Sequence, residues 1–111
     1  MGGLTMVNIT LQGQEYNAKL DFATIGKIQV ELSKIGLNLK LKEIFEEVEK
    51  ENFAVISEII IQSILRCHPK LKRHMIEDKL TISEMDNIAS FLTELVEKSI
   101  SSKKEGKQLE E

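Results

Sequence analysis

Apolar and polar residues alternate at two places near the start of the chain. Residues 6–11 read Met-Val-Asn-Ile-Thr-Leu and put Val7, Ile9 and Leu11 on one face; residues 16–20 do the same with Tyr16, Ala18 and Leu20. A period of two is the mark of a half-buried strand. Gln12-Gly13-Gln14-Glu15 lies between the runs. Its glycine supplies the positive φ of a tight turn, so the pattern predicts a β-hairpin. A lone hairpin is marginal in water and must lean on other elements.

From Asp21 onward the period becomes helical. Asp21 is a good N-cap, and Phe22, Ile25, Ile28, Leu32 and Ile35 follow as one stripe that Gly36 is placed to close. Gly26 weakens that helix and suggests close packing against the hairpin. Asn38 is placed to cap a second helix with Leu41, Ile44, Phe45 and Val48 on one side and a Glu-rich face, Glu43 to Glu51, on the other. Asn52 opens a third, through Phe53, Ile56, Ile60 and Ile64, which is apolar on most of its circumference and reads as the central buried helix. Its β-branched content keeps a strand over residues 55–61 as an alternative. Pro69 ends that helix and starts a short one over residues 70–79, with Leu71, Met75 and Ile76 inward. Thr81 and Glu84 fit a capping box, with Leu80 and Met85 as its staple, ahead of a final helix through Ile88, Phe91, Leu92, Leu95 and Val96. The fold class is α+β, mostly α: an N-terminal hairpin on a bundle of about five helices. Residues 1–100 form one domain, and residues 101–111, polar and without period, read as a flexible tail.

Composition narrows the function. The chain has 111 residues, one Cys and a formal net charge of −3. One cysteine cannot form an internal disulfide, which excludes a disulfide-stapled secreted scaffold. The acidic balance argues against a dedicated nucleic-acid binder. The start, Met1-Gly2-Gly3-Leu4-Thr5-Met6, has neither a basic nor an apolar leader region, and no run is long enough to span a membrane. The expectation is a cytoplasmic protein.

The candidate chemistry is thin. Cys67 and His68 match no zinc spacing, and His74 with Asp78 makes at most half a ligand set. No third group orients a Cys-His nucleophile, and no glycine loop cradles phosphate. No enzyme activity, metal or cofactor is expected. Arg66, Lys70, Lys72 and Arg73 form the one basic cluster, with no acidic residue between 66 and 74. It fits an acidic protein partner, or, in a small DNA-associated or regulatory protein, a phosphate backbone.

The order of elements carries more. Gly13-Gln14-Glu15-Tyr16 in the hairpin, Leu20-Asp21-Phe22-Ala23 at the first helix and His68-Pro69 after the central helix resemble the tail assembly chaperones of long-tailed bacteriophages, including related prophage and gene-transfer-agent proteins. The resemblance spans about residues 7–100. It implies a non-enzymatic protein of the bacterial host cytoplasm that binds the tape-measure protein and helps recruit tail-tube subunits; the alternative is a structural component of the tail, which self-association into rings would favour. Lys70-Leu71-Lys72-Arg73 departs from it, standing where a more acidic stretch belongs. On this view Leu41, Ile44, Phe45, Val48 and Phe53 line a groove for a partner helix. The alternative is that they close the chain's own core.

Overall fold

The computed structural model describes the backbone of residues 6–110 and the side chains of residues 6–98. The leader-free start inferred for residues 1–5 lies outside the described residues. Strands β1 (Met6–Leu11) and β2 (Gln14–Lys19) form an antiparallel hairpin. Leu11 pairs with Gln14, so the loop is only Gln12-Gly13, two residues shorter than the sequence suggests. Both loop residues have positive φ, 50° and 82°, the pattern of the mirror-image turn that matches strand twist. Val7, Ile9, Leu11, Tyr16 and Ala18 are all buried, as the alternation requires.

Five α-helices follow: α1 (Phe22–Ser33), α2 (Leu41–Glu49), α3 (Phe53–Cys67), α4 (Arg73–Glu77) and α5 (Met85–Glu110), with a 3₁₀ turn at Ile82–Glu84 before the last. The fold is therefore α+β and mostly α. Helix α3 is its axis: β2, α1, α2 and α4 all pack on it, and β1 packs on α5. Residues 55–61 are helical, and Val55, Ile59, Ile60, Ile61 and Ile64 are buried. Burial against surrounding elements overrides their β-branched preference. The backbone of α5 continues through residues 101–110, where the sequence shows no apolar period.

Several local expectations are met. Asp21 caps α1, its Oδ1 accepting from the Thr24 N–H at 2.9 Å and the Thr24 hydroxyl at 2.6 Å. Asn52 caps α3 by accepting from the Ala54 N–H at 3.1 Å. Gly36 closes α1 at φ 87°, its N–H reaching the Ser33 carbonyl while that of Leu37 reaches Leu32.

Others are corrected. Phe22 is 94% exposed, because it lies six residues, or about 240° around the helix, from buried Ile28. Ile35 falls past the end of α1 and is exposed. A Cβ at Gly26 would meet nothing within 4 Å, so no close packing occurs there. Asn38 does not cap α2; Lys40 holds that position, and its N–H donates to the Glu43 carboxylate at 2.7 Å. The Thr81–Glu84 box does not form. The Thr81 hydroxyl pairs with that of Ser83 at 2.9 Å. Glu84 turns instead to the hairpin, accepting from the Gln12 N–H at 3.1 Å, while Asn87 bridges Glu84 and the Thr10 carbonyl. That clip fixes the hairpin tip to the start of α5.

Candidate functional site

Two depressions of the surface differ in chemistry. The first is an open groove of about 410 Å³ between α2, α3 and α5. Phe45 and Val48 of α2 form one wall, Ile56 of α3 part of the lining, and Ile88, Leu92 and Val96 of α5 another wall. Among the described residues its charged ones are acidic: Glu49, Glu51 and Glu97. The second, of about 380 Å³, contains Glu31, Lys34, Glu58, Arg73 and Glu77.

Of the five residues nominated as a groove, two line the main one. Phe45 and Val48 are half-buried, packed on the core beneath and open to the groove above. Ile44 is buried and belongs to the core itself. Phe53, half exposed, lines a smaller depression of about 160 Å³ that shares Ile56, Met85 and Ile88 with the groove. Leu41 is exposed and lines neither. The core reading therefore holds for Ile44, and Phe45 and Val48 serve both purposes. The α5 wall was not nominated from the sequence, because a period-3.6 stripe looks the same whether it meets core or groove.

The basic stretch is not assembled as a free patch. Arg66 donates to Asp21 through Nε and pairs through Nη2, both at 2.9 Å, joining the C-terminus of α3 to the cap of α1. Arg73 grips Glu58 with two parallel bonds of 2.7 and 2.6 Å and reaches Glu77 at 2.6 Å. Lys70 and Lys72 remain exposed. Two of the four cations are thus neutralised by carboxylates that lie elsewhere along the chain.

Glu58 is the polar residue that the sequence reading passed over. It is 5% exposed within the most buried helix. A charged residue between Ile56 and Ile59 was a visible signal, since a buried carboxylate needs a partner. Burial alone would raise its carboxyl pKa, but hydrogen bonds from Arg73 and Gln62, with the charges of Arg73 and Lys34, hold it below the ordinary glutamate value. The same pair raises the Arg73 guanidinium. Asp21 follows the same pattern: burial pushes its carboxyl up, and Thr24 and Arg66 bring it below the ordinary value.

Of the candidate chemical residues, His68 is engaged structurally. Nε2 of His68 accepts from the Asn17 N–H at 3.2 Å, and its ring meets Tyr16 edge-on at 6.0 Å. Burial pushes the Cys67 thiol above its ordinary pKa, opposite to an activated nucleophile. Among the described residues no group of three or more His, Cys, Asp or Glu side chains is placed to hold a metal ion. No helix among them is long and apolar enough to cross a membrane. Comparison with family models, with curated proteins and with solved structures found no match for this chain.

Proposed function

We propose that this chain is a non-enzymatic tail assembly chaperone of a phage or prophage. It binds the tape-measure protein, shields apolar stripes of that long helical chain, and helps bring in tail-tube subunits. The observation that carries this reading is the open apolar groove between α2, α3 and α5, with Phe45 and Val48 on its wall. The resemblance through Gly13–Tyr16, Leu20–Ala23 and His68-Pro69 supplies the family. An amphipathic helix laid in the groove would remove apolar surface from water on both partners, at roughly 25 cal/mol per Å². A chaperone of this kind needs no reactive pocket; it needs a surface that covers and then releases. The basic stretch offers no comparable support for a nucleic-acid role, since Arg66 and Arg73 are paired within the chain.

The test is co-purification with the tape-measure protein. Phe45→Asp and Val48→Asp are each expected to abolish it, with a melting curve to show that the variant is folded. Where Asp unfolds the chain, Val48→Thr is the milder version and is expected to weaken capture. Full capture by a folded Phe45→Asp variant would sink the groove reading.

A further inference from the structure

We infer that the groove is built for a basic amphipathic helix: an apolar stripe flanked by Lys or Arg. The inference rests on the groove reading above and adds the charge of the occupant. The apolar lining sets the stripe, and the acidic residues set the flanks. Glu49 and Glu51 stand at the α2 side and Glu97 on α5, and among the described residues no Lys or Arg lines the groove. The nearest basic neighbours in sequence are engaged elsewhere, Lys50 with Glu47 at 3.4 Å and Lys98 with Glu94 at 3.5 Å. Among the described residues Glu49, Glu51 and Glu97 form no ion pair. An acidic or neutral helix would bring no compensation for three carboxylates crowded by its approach. A basic one is steered in and held in register by them.

Glu51 adds a second reason. Helices α1 and α2 end in the same way. The Gly36 N–H reaches Ser33 and the Leu37 N–H reaches Leu32; likewise the Glu51 N–H reaches Val48 and the Asn52 N–H reaches Glu47. Both turns need a left-handed residue. The first uses Gly36 at φ 87°, whereas the second holds Glu51 at φ 61°. A glutamate there strains the backbone, a cost that glycine would avoid. The chain thus carries a carboxylate at the groove where the turn itself favours glycine.

The experiment measures binding of three synthetic helical peptides, about four turns long, that share one leucine-rich apolar stripe. Their flanks are Lys, Gln or Glu, and fluorescence anisotropy is read at low and high salt with the full chain. The Lys peptide is expected to bind at least about tenfold more tightly than the Glu peptide, with affinity falling as salt screens the carboxylates. Glu51→Gly is expected to leave the melting temperature unchanged or raised, yet to weaken the Lys peptide several-fold; Glu49→Gln/Glu51→Gln/Glu97→Gln is expected to remove the salt dependence. Equal binding of Lys and Glu peptides, still lost in Phe45→Asp, would overturn the charge assignment and leave the groove reading standing. No binding of any peptide, with unaltered tape-measure capture by Phe45→Asp, would overturn both.

Discussion

The two ends of α3 are finished in different ways. At the C-terminal end Arg66 is bonded to Asp21, His68 accepts from the β2 backbone, and Ile64 is fully buried. Hairpin, α1 and α3 are tied there by directional polar contacts around a closed core. At the N-terminal end Phe53 is half exposed, and Ile56 lines a groove that α2 and α5 flank without covering. Of the charged residues that looked like a binding patch, Arg66 holds the fold at the tied end and Arg73 at the middle of α3, while Lys70 and Lys72 stay exposed. At the other end Val55 and Ile56 are buried, and Phe53 keeps free surface beside the half-buried Phe45 and Val48 of α2. Availability, more than residue type, separates a binding surface from a structural one.

The largest expected effect tests that contrast directly. Ile64→Ala should cost roughly 2–5 kcal/mol of stability, the range for deleting a fully buried aliphatic side chain. Phe53→Ala removes more atoms but, half exposed, should cost less than about 2 kcal/mol. Urea denaturation of both variants gives the comparison, and equal losses would mean that the N-terminal end is sealed too.

The next effect is at the ion pair that pins α4 to the middle of α3. Arg73→Met strands the buried Glu58 carboxylate and should cost about 3 kcal/mol, the lower end for a broken buried pair because solvent reaches Arg73. Glu58→Met with Arg73→Met should recover most of that loss. The pH dependence carries a definite sign. Glu58 has a folded-state pKa below its unfolded value, so its contribution is present above the unfolded pKa and is lost as pH falls through the folded pKa. Asp21 acts in the same direction. Acid titration of stability should therefore show a limb below the ordinary carboxylate range that flattens in Arg73→Met. A limb unchanged in that variant would show that Glu58 does not contribute to it.

The smallest expected effect, at Gly26 on α1, has the opposite sign. A methyl there meets no neighbour within 4 Å, so Gly26→Ala should stabilise the protein by about 0.5–1 kcal/mol through helix propensity and reduced unfolded-state entropy. Thermal melting measures it. A loss of stability would mean that α1 touches something at this position after all.

Much of the architecture was legible from local chemistry. The alternation of residues 6–11 and 16–20, Asp21 and Asn52 as caps, Gly36 as a terminator and the apolar girth of α3 are each decided within a few residues of chain. Those features depend on backbone sterics and on periods of 2 and 3.6, which the sequence displays directly. The misread charged residues Glu84, Arg66 and Arg73 share one cause: each finds a partner away from its own turn of chain. Glu84 had Thr81 within a turn but bonds Gln12, 72 residues away. Arg66 finds Asp21 across 45 residues, and Arg73 finds Glu58 across 15.

The candidate site divides along the same line. Sequence alone determined which residues carry apolar stripes and which carry charge, and Phe45 and Val48 are the two of its five candidate groove residues that line the main depression. Tertiary structure alone decided that Ile44 faces the core, that α5 supplies the opposite wall, and that Arg66 and Arg73 have intramolecular partners. The physical reason is that a helical stripe records which side is apolar and carries no record of what lies against it. Whether that side meets core, groove or partner depends on how far apart the neighbouring helices come to rest, and here α2 and α5 come to rest with an open space between them.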